Sequence, residues 1–462
     1  MDAVWGVLLS VVALLSPLVG VRGERTVEQL RQGPANECRR LGLADQCSVL
    51  DGRRIASAHV AEYQNTWTHH ALTLQRQLDD NVALARTTLP HTHNTFNSSV
   101  YSPTLTNQDP NQVYSIADQL RMDIRAIEMD VHWVPSAHGN FKTGYKAVVL
   151  CHGQVMNGVH IGCTVDRWFP DGLDELAGWL HEPQNANEVV LLYLENNLDN
   201  NPQAHDLAAR EIAGHLGDLV AKPPASHPCA PIDTSTSAAA VRAAGHRVII
   251  VGNCGPTGSA WNSWVHERGI PNHWVESSSG PGNDYPGLNG CAAERVRTGA
   301  GHALVRWYED STWLSAMVSG TSSQLTSVEA AQMAKCGVNL IGFDQLEPTD
   351  PRLSAIVWSW AVNAPAASTG TASCAASAGD TRFHDQGCAT PHAFACSTGP
   401  DNWTVTAATG PWSDGGAACA AQGSSFAVPA NGWENSLLRN AAGSATVWLH
   451  YADAAGNGSW TP

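Results

Sequence analysis

Charge is scarce in this chain: 15% of its 462 residues are Asp, Glu, Lys or Arg, and the positive share is the smaller, 26 Lys and Arg against 42 Asp and Glu. A formal net charge of −16 disfavours nucleic acid as a partner and general adhesion to anionic membranes. An anionic substrate therefore has to be met by local positive charge, which a bound cation would supply. The cysteines form no CxxC pair, which argues against a structural zinc site. There is no glycine-rich nucleotide loop and no internal repeat. The N-terminal apolar run, Val4 to Val19, falls short of the roughly 20 residues a membrane-spanning helix needs. With Val21-Arg22-Gly23 behind it, it predicts a cleaved export signal over residues 1–23, although Met1-Asp2 brings no Lys or Arg to its start. An uncleaved anchor is the alternative.

What is present fits an exported globular protein. At 43% hydrophobic, the chain can bury a substantial core and divide into more than one domain. Twelve cysteines behind an export signal predict disulfides in an oxidising compartment. Cys38 with Cys47 and Cys151 with Cys163 are plausible neighbours, but spacing alone leaves connectivity open. Sequons begin at Asn97, Asn402 and Asn457, acceptors for glycosylation in a eukaryotic host.

Residues 24–85 are polar and helix-prone and carry no assigned chemistry. From Arg86 onward, short apolar runs alternate with helical stretches, the mark of βα units around a parallel sheet. The runs are Thr87-Leu89, Arg125-Val131, Ala147-Cys151, Val189-Leu194, Arg247-Val251, His273-Glu276, His302-Trp307 and Val338-Phe343. Eight of them predict an α/β fold with a (β/α)8 TIM-type barrel over residues 86–362. Helix ends are legible too: Asp171 to Leu180 stops before Pro183, and Thr326-Ser327-Val328-Glu329 reads as a capping box on a helix ending near Gly337. A linker over 363–373 leads to a small disulfide-containing accessory module, 374–462.

Barrel enzymes carry their chemistry at the C-terminal ends of strands, and four clusters fall there. Leu89-Pro90-His91-Thr92-His93-Asn94 ends in two histidines and an amide. Arg125 to Trp133 alternates, placing Ile127, Met129 and Val131 on one face and Glu128, Asp130 and His132 on the other. Val148-Val149-Leu150-Cys151-His152-Gly153 ends in a histidine, and Val189 to Asn196 in Glu195. Carboxylates so close repel unless a cation or proton lies between them. Three of them with one amide oxygen make a hard-cation cage that favours calcium or magnesium over zinc.

These clusters resemble the catalytic X region of the phosphatidylinositol-specific phospholipase C family, with its order His-Asn, Glu-x-Asp, His-Gly and Leu-Glu-Asn at His93-Asn94, Glu128-Met129-Asp130, His152-Gly153 and Leu194-Glu195-Asn196. The resemblance is close over Thr87 to Asp199 and loose over the rest of the barrel. Asp130 stands where the familiar bacterial members place an arginine, so the resemblance implies the metal-dependent version, with Ca2+ (or Mg2+) on Asn94, Glu128, Asp130 and Glu195. It further implies that Glu128, Glu195 or His93 takes the proton of the attacking hydroxyl. His93 would donate to the non-bridging phosphate oxygens and His152 would protonate the departing alcohol. The expected product in the family is a cyclic inositol phosphate.

Arg306 and Asp344, at later strand ends, are candidates for substrate binding, with an ordinary salt bridge as the alternative for the arginine. His91, His132 and His160 stay unassigned. Trp307, Trp313, Trp358 and Trp360 read as a lipid-facing rim or as core. The last unit faintly resembles a C-type-lectin-like fold. The resulting expectation is a secreted, monomeric phosphodiesterase that meets a phospholipid or glycolipid head group in transient contact with a membrane surface, with no nucleic acid as partner. The alternatives are a glycerophosphodiesterase or sphingomyelinase D-like enzyme, whose histidine motifs are differently spaced, and a non-catalytic adhesion protein.

Overall fold

The computed structural model describes residues 49–50, 53–54, 57–101, 110–135, 146–156, 159–161, 167–269, 273–277, 287–312, 324–367 and 370–462. The expected export signal, Cys38, Cys47, Cys163 and Trp313 lie outside them, as does the side chain of His160.

Eight parallel strands follow one another around a curled α/β sheet. They are β1 (Leu89–Thr92), β2 (Ala126–Pro135), β4 (Val190–Asn197), β5 (Val248–Gly252), β6 (His266–Glu267), β7 (Trp274–Ser277), β8 (Leu304–Tyr308) and β9 (Leu340–Phe343). Ladders join each to the next and β9 back to β1. One junction is the exception: among the described residues no ladder joins β6 to β7. There Arg268 donates to Glu276 at 2.8 Å across the seam.

One of the expected barrel strands has another role. The run ending at Cys151 is β3 (Lys146–Leu150), which pairs antiparallel with the outer half of β2, from Val131↔Leu150 to Pro135↔Lys146. Only ten residues separate Pro135 from Lys146, fewer than the dozen or so that a parallel crossover needs. The vacated place is taken by β6, two residues long and too short to show any periodicity.

Strand alternation sorts the side chains into layers. Ile127, Met129 and Val131 are fully buried in the outer core, where helices cover the sheet. Inside, Ala126, Leu191, Leu304 and Leu340 form an apolar floor. Above it stand His91, Glu128, Tyr193 and Arg306, and above those His93, Asp130, Glu195, Tyr308 and Asp344. Polar groups thus accumulate toward the C-terminal ends of the strands. Gly342 is required at the middle level, because a Cβ there would lie 2.8 Å from the His91 ring and 2.9 Å from Tyr308 Cβ.

The helices end where the sequence indicates. Phe169–Leu180 is helical, and Ser327–Cys336 has its Thr326–Glu329 capping box and Gly337 at φ +73°. The last unit is a six-stranded sheet between Ser373 and Asp453 with a helix over Gly432–Ala442. It packs directly on the barrel: Trp358, Trp360, Phe383, Leu438, Leu449 and Tyr451 share one apolar core, each such burial stabilising by about 1.5–3 kcal/mol. Gly432 sits so close to Ala334 that a Cβ would meet its carbonyl oxygen. Trp307, Trp358 and Trp360 are at most 1% exposed, so they are core and form no lipid-facing rim.

Disulfides link Cys229–Cys254, Cys291–Cys336, Cys374–Cys388 and Cys396–Cys419. Cys151 is also disulfide-bonded. No described helix is long and apolar enough to cross a membrane.

Candidate active site

At the end of β1 the chain turns sharply. The His93 N–H donates to the Phe343 carbonyl of β9 at 3.1 Å. Asn94, at φ +45°, takes the left-handed conformation that Asn tolerates better than most residues. The turn aims the Asn94 N–H at Glu128 Oε2, 3.1 Å away. It also places the Asn94 amide 3.0 and 3.2 Å from the two Asp130 oxygens.

The carboxylates meet by register. Asp130 on β2 stands beside Glu195 on β4, and Glu128 beside Tyr193. Oxygens of Glu128, Asp130 and Glu195 all lie within 4.8 Å of one another. Their environments differ. Arg306, 3% exposed, donates to Glu128. Burial works to raise the Glu128 pKa, but Arg306, then His93 and His91, override it and hold the group well below the usual carboxylate range. Asp130 is driven the other way: burial first, then the Glu195 and Glu128 charges, push it well above that range. Arg121 and Arg125 pair with Asp118, Glu182 and Glu188 and not with Glu128 or Asp130.

His91 is fixed beneath this cluster. Its Nδ1 lies 3.1 Å from the Ala126 carbonyl, while its Nε2 accepts from Arg306 Nε at 3.2 Å. Burial lowers its pKa, which favours the neutral ring that accepts this bond. Asp344 is fully buried and faces His93 Nδ1 at 3.2 Å. Burial alone would lower the His93 pKa, but the Asp344 and Glu128 carboxylates outweigh it and raise the imidazole above its ordinary value. The His93 ring leans against Tyr308, centroids 4.8 Å apart. Arg306 and Asp344, the sequence's candidates for substrate contact, thus stand behind Glu128 and His93 in this structure.

His152 follows β3 and is partly exposed. It is tied to the rest of the site by Asn111, which the sequence did not single out, and by Asn97, which it marked only as a sequon. Asn97 Nδ2 lies 3.1 Å from His152 Nδ1 and donates to Asn111 Oδ1 at 2.7 Å. Asn111 Nδ2 in turn donates to Asp344 Oδ1 at 3.1 Å. Gln112 holds the segment down, donating to the carbonyls of His93 at 2.6 Å and Phe343 at 2.8 Å. Asn97, the first sequon, is only 3% exposed, so in the folded protein it has no room for a glycan; Asn402 and Asn457 are exposed. No periodic pattern marks Asn111, which follows Pro110 in a loop.

The donor set fits a hard cation. Three carboxylates and one amide, all oxygen donors, match calcium or magnesium. If the Asn94 oxygen faces Asp130, two acceptors stand about 3.0 Å apart, a contact that only a cation or a proton reconciles. If the amide is turned, its nitrogen donates to Asp130 and its oxygen accepts from His93 Nε2 at 3.2 Å.

Comparison with known proteins identifies the family of the chain. The Rv2075c PI-PLC-like domain family matches residues 49–350, and the chain belongs to that family. It is 36% identical over 436 residues to the uncharacterized protein Rv2075c of Mycobacterium tuberculosis strain ATCC 25618 / H37Rv, covering 90% of this chain and 86% of the relative. The same figures hold for uncharacterized protein MT2135 of strain CDC 1551 / Oshkosh. Looser structural likenesses include phosphatidylinositol-specific phospholipase C from Listeria monocytogenes, 16% identical, TM-score 0.38, covering 60% of this chain and 94% of that one. The F249X mutant of the Staphylococcus aureus enzyme is 11% identical at TM-score 0.39, covering 63% and 99%.

Proposed function

We propose that the protein is a secreted, metal-dependent phosphodiesterase of the phospholipase C type. It acts as a monomer on the head-group phosphodiester of a phospholipid or glycolipid, in transient contact with a membrane surface. The observation that carries this reading is the linkage of two imidazoles, His93 and His152, through one chain of buried polar groups beside Glu128, Asp130 and Glu195. Membership of a PI-PLC-like family supports it.

A calcium or magnesium ion held by Asn94, Glu128, Asp130 and Glu195 would stabilise charge on a phosphate oxygen and ease ionisation of the attacking hydroxyl. Glu128 is a poor base, because Arg306 keeps it ionised and at low pKa. His93, backed by Asp344, is the better one. It takes the proton of the attacking hydroxyl as the new oxygen–phosphorus bond forms. His152 gives a proton to the leaving alcohol oxygen as the old bond breaks. Where the attacker is a neighbouring hydroxyl of the head group, the product is a cyclic phosphate. Water then opens the ring with the two histidines in exchanged roles, restoring both.

A panel of phosphodiesters, including phosphatidylinositol, sphingomyelin and glycerophosphocholine, assayed with and without chelator tests the proposal. The expected result is chelator-sensitive release of a phosphorylated head group, reduced in His152→Ala by a factor on the order of 10²–10⁴. Free choline or glycerol phosphate as product would point instead to the glycerophosphodiesterase or sphingomyelinase D chemistry. Equal trace activity in wild type and His152→Ala, with unchanged folding, would refute catalysis.

A further inference from the structure

We infer that Glu309 and Arg352 are positioning residues: as one buried ion pair they hold both backbone polar groups of Asp344 and so set where its carboxylate stands against His93. The inference rests on the proposed role of His93 as the base and adds the groups that prepare it.

Asp344 needs such a hold because of where it lies. It is the first residue past β9, where the ladders to β8 and β1 have ended, and Gln345 behind it takes φ +49°, so the chain turns away at once. A side-chain carboxylate is placed no better than the main chain that carries it. Glu309, the first residue past β8, supplies one half of the hold. It is fully buried, and its own N–H donates to the Gly342 carbonyl at 2.9 Å. Its Oε2 accepts from the Asp344 N–H at 3.1 Å, and its Oε1 accepts from the Leu325 N–H at 3.1 Å and from Arg352 Nη1. Arg352, in a short helix over Pro351–Ala355, turns its other terminal nitrogen back on the same residue. Its Nη2 donates to the Asp344 carbonyl at 3.0 Å, while Asp350 Oδ1 accepts from its Nε at 3.0 Å.

The two ends of one ion pair thus close on the N–H and the C=O of one residue. Ser311, two residues beyond Glu309, completes the grip: its N–H and hydroxyl donate to Asp344 Oδ2 at 2.9 and 3.2 Å. That leaves Oδ1 to face His93 Nδ1 and Asn111 Nδ2. With an acceptor at Nδ1, the neutral His93 ring keeps its proton there and presents a bare Nε2, the form a base requires. The competing reading is a plain staple between β8, β9 and the short helix. A buried ion pair is a weak stabiliser that apolar side chains of similar volume often replace without loss, and burial pushes the Glu309 pKa up to about 8 against the pull of Arg352. Apolar side chains would fill the space equally well. They would neither take the Asp344 N–H nor donate to its carbonyl, and those two bonds are what a positioning role requires.

Glu309→Gln is a selective test. An amide has one accepting end, and Oε1 serves two donors, one of them charged, so the amide oxygen goes there and the NH2 group is set against the Asp344 N–H. On whichever phosphodiester the wild type cleaves, kcat should fall by a factor on the order of 10–10² with KM little changed, the effect of a small misplacement behind the reacting groups. Arg352→Lys, whose single nitrogen lacks the fork that reaches both Glu309 and the Asp344 carbonyl, should lower kcat in the same way. Long-range proton–nitrogen NMR correlation on the full chain labelled with 15N-histidine, recorded above the imidazole titration and assigned with His93→Gln, reads the ring itself. Neutral His93 should carry its proton on Nδ1 in wild type and lose that confinement in Glu309→Gln. A folded Glu309→Gln protein with wild-type kcat and an unchanged His93 tautomer overturns the inference. So does a wild-type ring protonated on Nε2, whether or not the variants fold, and so does failure of both variants to fold, which would make the pair a staple. If wild type cleaves no phosphodiester while the tautomers behave as expected, the enzymatic reading fails and the positioning stands.

Discussion

Glu128 and Asp130 are two residues apart on one strand and point into the same interior, yet they live under opposite electrostatic conditions. Glu128 has a guanidinium against it, two histidines near it and the Asn94 N–H on one oxygen. Asp130 has Glu195 beside it and Glu128 below. Position on a strand decides which face a side chain meets; only the neighbouring strands decide whether it finds a partner or a rival there. Half of the cluster is balanced by the guanidinium of Arg306; in the other half, crowding by like charge makes Asp130 hold a proton, the place where the proposed cation would act.

The strongest way to break this contrast is to remove the balancing charge. Arg306→Met should cost about 3–5 kcal/mol of unfolding free energy, the effect of stranding a buried carboxylate, measured by urea denaturation in chelator. A cost within about 0.5 kcal/mol, as for a surface substitution, would show that Arg306 is not the counter-charge.

The unbalanced half should respond to the ion instead. Calcium or magnesium at about 100 times its dissociation constant is expected to stabilise wild type by roughly 2.7 kcal/mol. That gain should vanish in Asp130→Asn and Glu195→Gln. Thermal unfolding with and without the ion decides it, and no stabilisation by either metal would remove the cation from the account.

The smallest and sharpest effect is on pH dependence in the absence of metal. Asp130 has a raised folded pKa, so the folded state holds a proton that the unfolded chain has lost. Its contribution is present below the unfolded value, about 3.9, and falls away as pH rises above it. Glu128, with a lowered folded pKa, contributes in full above its unfolded value of about 4.3 and loses that contribution as pH falls. The two slopes lie on either side of about pH 4: the Glu128 contribution rises below it and the Asp130 contribution falls above it. Asp130→Asn should remove the fall and leave stability flatter from pH 4 to 6 than in wild type; an unchanged profile would mean that Asp130 is not perturbed.

Much of this was legible in the chain. The alternation Ile127-Glu128-Met129-Asp130-Val131 predicted both faces of β2, because side-chain direction along a strand is a local property with period two. The capping box at Thr326 and the stop at Gly337 were equally local. What failed was pairing. The run ending at Cys151 was placed as a barrel strand because an apolar run does not reveal its direction, and His266–Glu267 was missed because two residues carry no period. Asn97 read as a glycan acceptor because a sequon is a three-residue pattern with no knowledge of burial.

The sequence by itself determined which residues end the strands and therefore that His93, Asn94, Glu128, Asp130 and Glu195 gather at one rim of an α/β sheet. Only the tertiary structure decided that Arg306 answers Glu128, that Asp344 stands behind His93, and that Asn97 and Asn111 reach His152. Those contacts join residues 14 to 251 positions apart. Hydrogen bonds across such distances follow from strand order and register, which no local pattern encodes.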